Sequence, residues 1–133
     1  MNKKGFSLVE VLTAVALLAL VLTVLMQIVP SMLQIGRKVE INSKLSFLAE
    51  QKIEEIISFT KSNHVSYGFN NNYTQTATAF AAPDTVYKFT ISDDQNANLK
   101  TLSITVWKDV DNNNVLNTNE HSFILDTKVV NRN

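Results

Sequence analysis

The stretch from Phe6 to Val29 narrows what this chain can become more than anything else in it, because its only polar side chains are Ser7, Glu10, Thr13, Thr23 and Gln27. As a helix rising ~1.5 Å per residue, it is long enough to cross a ~30 Å hydrocarbon layer with some tilt. Only a membrane, or other segments of the same kind, can cover such a surface. Glu10 is the anomaly in it. A carboxylate at that depth costs roughly 2.5 to 3.5 kcal/mol on insertion scales, which confines such residues to places where they have a partner or a function.

The residues ahead of this stretch are unusual too. Lys3 and Lys4 are followed at once by Gly5 and Phe6, with no separate apolar core before a small-residue cleavage site. That is not the layout of an ordinary secretory signal. Ala14-Val15-Ala16 fits an A-x-A site formally, but cleavage there would leave a chain opening at Leu17 on ten more apolar residues. The two lysines instead hold the N-terminus on the cytoplasmic side and send the rest of the chain across.

Taken together, Lys4-Gly5-Phe6-Ser7-Leu8-Val9-Glu10 resembles the type III signal of type IV pilins and type II secretion pseudopilins. The motif combines a basic residue, a glycine, a phenylalanine and a glutamate five positions into the mature chain, all at the head of an apolar helix. The resemblance is strongest over residues 3 to 29 and continues more weakly to about residue 60. It implies that a prepilin peptidase cuts between Gly5 and Phe6 on the cytoplasmic face and methylates the new amino group of Phe6. A glycine lets the scissile backbone approach catalytic groups with no side chain in the way. It also implies that Glu10 faces the charged N-terminus of a neighbouring pilin or pseudopilin subunit during assembly. Such a pair sets register, because a subunit docked one step wrong leaves a buried charge alone. The implied location is the cytoplasmic (inner) membrane, with one span, an extracytoplasmic C-terminus and an assembly platform, and afterwards the pilus or pseudopilus filament.

Beyond the anchor, 133 residues leave room for one modest domain. Twelve basic and twelve acidic residues cancel, so no global field points to nucleic acid. The absence of cysteine excludes disulfides and thiolate metal sites. Pro30 removes a helix hydrogen bond and is expected to kink the helix or open a short melted segment, with the helix resuming after it. With Gly36, it makes residues 30 to 37 either a flexible joint or a weak part of a continuous helix. Downstream, Ile41, Leu45, Leu48, Ala49, Ile53 and Ile56 recur at three- and four-residue intervals among charged neighbours, an amphipathic pattern.

Residues 60 to 85 carry neither hydrophobic period and read as a long loop. Tyr67, Phe69, Tyr73 and Phe80 within it either pin the loop to the sheet or meet neighbouring subunits. Asn72-Tyr73-Thr74 fits a glycosylation sequon, a frequent chance match. The tail then alternates with period two in three runs: Tyr87, Phe89 and Ile91; Leu102, Ile104 and Val106; Phe123, Leu125 and Val129. Turn-rich segments at 92 to 98 and 109 to 120 separate them, as in an antiparallel meander. The expected fold is α+β and pilin-like: a long N-terminal helix packed on a small three-stranded antiparallel sheet. The expected divisions are a leader at 1–5, a membrane half at 6–29, an amphipathic half at 30–59, and a loop-and-sheet region at 60–133. Within that architecture, Leu45 to Ile56 and the strand ending in Val106-Trp107 are similar to minor pilins of the PilV type and to I-type minor pseudopilins.

Asp109-Val-Asp111-Asn-Asn113-Asn-Val115-Leu-Asn117-Thr-Asn-Glu120 places acidic and amide residues at positions one, three, five, nine and twelve of a calcium loop, with Asn114 at the left-handed turn. Its flanks read as strands and not helices, and an Asn-rich hairpin is ordinary turn chemistry, so both readings stand. No cofactor or metal is expected. No partnered Ser, His and Asp set or Gly-rich phosphate loop is recognisable, and His64 and His121 lie in unrelated settings. The chain is therefore expected to be the substrate of one enzyme and not itself an enzyme. Three classes remain: a filament subunit (a minor pilin or pseudopilin), a single-pass signal-anchored binding or sensor module, and a secreted module cleaved after Ala16.

Overall fold

The computed structural model of the chain describes Gly5 and residues 7–132. One helix, α1, spans Leu8–Thr60, and four strands follow: β1 (Gln75–Ala79), β2 (Tyr87–Asp93), β3 (Leu99–Lys108) and β4 (Ser122–Val130). The chain divides into two compact units, residues 1–39 and 40–133.

In the first unit, α1 begins on a serine N-cap. Ser7 accepts the Glu10 backbone N–H at its carbonyl (3.0 Å) and at Oγ (3.3 Å), and Glu10 stands three residues on, at the acidic end of the pattern S-x-x-E. A carboxylate in the first turn also complements the partial positive charge of a helix N-terminus. The helix passes through Pro30 and Gly36 without a break, so of the two readings of residues 30 to 37 the continuous helix holds. Every described side chain from Leu8 to Glu40 is exposed.

The second unit carries the core. Leu45, Leu48, Ala49, Ile53 and Ile56 form one buried stripe of α1, as their spacing predicts. They pack with the inner face of an antiparallel sheet of order β1-β2-β3-β4. Cross-strand neighbours Phe89, Val106 and Phe123 form one row of that face, and Ile91, Ile104 and Leu125 the next. The alternation read from the sequence thus assigns the correct residues to the core side of β2, β3 and β4.

The sheet has four strands, not three. The missed strand, Gln75–Ala79, has the sequence QTATA and lies in the segment read as loop. It offers no large apolar side chain, and none of its residues is buried. What makes it a strand is pairing with β2, with Thr78 opposite Phe89 and Ala79 opposite Lys88, across a register irregularity after Gln75. An edge strand held by backbone hydrogen bonds leaves little trace in side-chain pattern.

The loop aromatics turn inward to their own unit. Phe69 and Tyr73 are buried, Phe80 lies 4.8 Å from Phe89, and Tyr67 stacks on Phe59 at 4.4 Å between ring centres. Tyr73 is tied further, its phenol donating to the Gly68 carbonyl at 2.8 Å. Burial pushes the Tyr73 phenol above its ordinary pKa.

Beneath these rings sits a buried ion pair. Lys100 Nζ lies 2.9 Å from Asp93 Oδ2, with both side chains almost wholly shielded from solvent. Lys100 also donates to the Asn71 carbonyl at 2.7 Å and stands 5.3 Å from the ring centres of both Phe69 and Tyr73. Asp93 accepts the backbone N–H of Tyr73 and of Gln95, so each charge is multiply satisfied. One polar cluster therefore fastens the loop after α1 to the β2–β3 hairpin.

Candidate functional site

Gly5 is exposed, and a Cβ built on it would meet nothing within 4 Å. Its own fold therefore gives this position no steric reason to be glycine. Phe6, the expected new N-terminus and methylation site, lies outside the described residues.

Glu10 is exposed on the first turn of α1, with Ser7 as its cap. Its carbonyl accepts a hydrogen bond from the Thr13 hydroxyl at 3.0 Å, and Thr23 repeats that arrangement on Leu20 at 2.7 Å. Both hydroxyls thereby satisfy themselves on the helix backbone and add no polar demand to the apolar surface. The Glu10 carboxylate is different: among the described residues no hydrogen bond or ion pair engages it. The segment around it is long and apolar enough to cross a membrane, by length and composition. Residues 7 to 29 thus present one ionisable group on an otherwise apolar, uncovered helix. Ser7 was overlooked as a cap in the sequence reading, although S-x-x-E ahead of an apolar run is a recognisable signature.

A second cluster lies on the β3–β4 loop. Carboxylate oxygens of Asp109, Asp111 and Glu120 come within 4.8 Å of one another. Asn114 has the expected left-handed backbone (φ 59°), and Asn112 shares it (φ 57°). The donors that meet these carboxylates are amides. Asp109 accepts the backbone N–H of Asn113 and of Asn114, and Glu120 accepts that of Val110 and of Asn117. Asp111 Oδ2 accepts the side-chain amides of Asn113 (2.9 Å) and Asn117 (3.0 Å). The donor set is one a hard cation would accept, yet the loop closes on its own N–H groups.

His64 and His121 do not come together with a nucleophile. His64 is exposed and its Nδ1 accepts the Ser66 backbone N–H, while His121 is half-buried beside β4.

The apolar helix headed by Gly5, Ser7 and Glu10 is the arrangement of a membrane-anchored, pilin-type N-terminus. Over residues 1–26 the chain matches the family model described as the prokaryotic N-terminal methylation motif. The chain is type IV pilin-like in this respect, and such a motif implies processing by a prepilin peptidase and assembly with other pilins in general. Neither a curated protein nor a solved structure matches the chain.

Proposed function

We propose that this chain is a structural subunit of a type IV pilus or type II secretion-like filament, a minor pilin or pseudopilin, and has no catalytic role of its own. It is cut by prepilin peptidase between Gly5 and Phe6, methylated at Phe6, held in the cytoplasmic membrane by α1 and then drawn into a filament. The observation that carries this reading is the Glu10 carboxylate, exposed without a partner among the described residues on a stretch of α1 that carries no other charge up to Val29. A lipid-only anchor gains nothing from that charge, whereas a neighbour's N-terminal ammonium would complement it.

N-terminal sequencing of the membrane-bound protein tests the reading. Methylated Phe6 is the expected first residue; Met1 would favour a plain signal-anchored module, and Leu17 a secreted one. Glu10→Val is expected to insert and be cleaved normally but to enter filaments poorly, because the carboxylate matters only when a neighbour presents its charge. Wild-type recovery of this variant in sheared filaments would remove the pairing.

A further inference from the structure

The globular unit has a groove rimmed by basic side chains at one end of the β3–β4 ladder and a loop carrying acidic ones at the other. At one end is a groove of about 740 Å³ between the last turn of α1, the loop after it and the end of β4. Lys61, Lys128 and Arg132 line it, and no aspartate or glutamate does so among the described residues. Its walls also include Ile57, Phe69 and Val129, so it offers apolar contact beneath a cationic rim.

At the other end is the β3–β4 loop. Residues 109 to 120 include three acids, Asp109, Asp111 and Glu120, and no lysine or arginine. Val110, Val115 and Leu116 stand exposed on it, at 70%, 58% and 40% of their full surface. The left-handed residues Asn112 and Asn114 and the amide-to-carboxylate bonds give this loop a defined shape of its own. Its outer surface combines the exposed Asp111 and the half-buried Glu120 with these apolar side chains.

The loop cannot fill the groove of its own chain. It follows the pair Trp107–Ser122, whereas the groove lies by the pair Lys100–Val129. Seven residues of paired β4 separate Ser122 from Val129, about 23 Å at ~3.3 Å per residue. A rigid ladder of that length keeps the two apart, so only another molecule can bring them together.

We propose that the β3–β4 loop of one copy seats in the cationic groove of a second copy. The contact joins different surfaces of the two molecules, and such head-to-tail contacts generate rings where the rotation closes and open helical assemblies where it does not, the second being the form a filament takes. Charge sets the partner and its direction, since a groove-to-groove or loop-to-loop approach brings like charges together. The inference deepens the filament reading and rests on it for its setting: it has copies of this chain succeed one another instead of capping the fibre once.

The chain has no cysteine, so introduced thiols report the contact without background. Full-length protein is purified in detergent, where no bilayer fixes the relative height of two copies. A Leu116→Cys form is mixed with an Asn70→Cys form and oxidised. The expected result is a heterodisulfide formed about tenfold faster than in a mixture of Ile124→Cys and Asn70→Cys, and slowed by high salt. Lys128→Glu with Arg132→Glu in the groove-bearing form should remove the advantage, and Val110→Lys with Val115→Lys in the loop-bearing form should restore it. These positions are all exposed, and circular dichroism of each form confirms that the fold is retained. Equal rates for the two mixtures, or indifference to charge reversal and its reversal in the loop, would overturn the proposal. A chain that is processed to Phe6 yet fails this test would leave the filament reading standing and remove only the copy-to-copy contact.

Discussion

Leu8–Val39 and Glu40–Thr60 are parts of one unbroken helix, yet opposite conditions stabilise them. In the first stretch every side chain is exposed, including seventeen leucine, valine and isoleucine residues whose surface water would penalise; in the second, Leu45, Leu48, Ala49, Ile53 and Ile56 are buried by the chain's own sheet.

 Those seventeen run from Leu8 to Val39. Secondary structure is the same throughout, so the difference lies in what covers the side chains. A helix with no tertiary partner draws little stability from propensity alone and depends on its surroundings, which for a stretch this long and apolar means a membrane or another apolar surface. The second stretch needs neither, because its apolar face is one stripe wide and the sheet is wide enough to cover it.

The sharpest way to break this comparison is at the buried ion pair, where the second unit is most self-reliant. Lys100→Met is expected to cost about 3 to 5 kcal/mol, because it leaves the Asp93 carboxylate buried without its counter-charge. Adding Asp93→Asn should recover much of that loss, since no lone charge then remains. The measurement is denaturant unfolding of a chain beginning at Ser31. That chain is expected to fold alone, because its core uses no residue before Ile41. A non-cooperative melt would mean that the second unit also leans on partners.

Paired truncations of the same residue type compare the two stretches directly. Leu48→Ala is expected to destabilise the globular unit by about 2 to 5 kcal/mol, as large-to-small changes in a packed core do. Leu20→Ala in the full chain should leave the melt of that unit unchanged. An equal effect at both positions would contradict the division.

A smaller effect is expected at the β3–β4 loop. Asp109→Asn should cost about 1 to 3 kcal/mol, because Asp109 is buried and its carboxylate receives two backbone N–H groups. The melt of the unsubstituted chain is expected to be the same in calcium, magnesium or chelator, since amide donors already meet the three carboxylates. A site with Kd near one hundredth of the free calcium would instead add ~2.7 kcal/mol, a calcium-specific rise that would overturn the plain-turn reading.

The smallest effect is at the surface of the β2–β3 turn. Hydrogen bonds from the backbone N–H groups of Thr101 and Asn96 hold Asp94 below the usual carboxylate range. A depressed carboxylate contributes stability above its unfolded pKa of ~3.9 and loses it as the pH falls through the folded value. Asp94→Asn should therefore flatten the acid limb of the stability curve below about pH 4 and leave neutral pH nearly untouched. An unchanged acid limb would assign that limb to other carboxylates.

Much of the fold was legible because the patterns that specify it are local. The stripe from Leu45 to Ile56 and the alternation in β2, β3 and β4 need only a period to be recognised, and both turned the predicted faces inward. The N-terminal motif was legible for a different reason: it lies in one linear run, and residues 1–26 match the family model of the prokaryotic N-terminal methylation motif. Other features left weaker traces. β1 is specified by the open edge of β2 and not by its own QTATA, and at 30 to 37 Pro30 and Gly36 left a joint and a continuous helix both open, of which the helix forms.

The sequence by itself determined the apolar anchor, the charge within it, the amphipathic stripe and three of the four strands, since each depends on residues a few positions apart. Tertiary structure alone decided that Lys100 and Asp93 meet beneath Phe69 and Tyr73, and that a cationic groove faces away from an acidic loop at the far end of the same sheet. Those arrangements join residues far apart along the chain, such as Asn71 with Lys100 and Lys61 with Lys128. Their distances follow from how helix, loop and sheet pack, a choice made by the whole core at once and not by any local period.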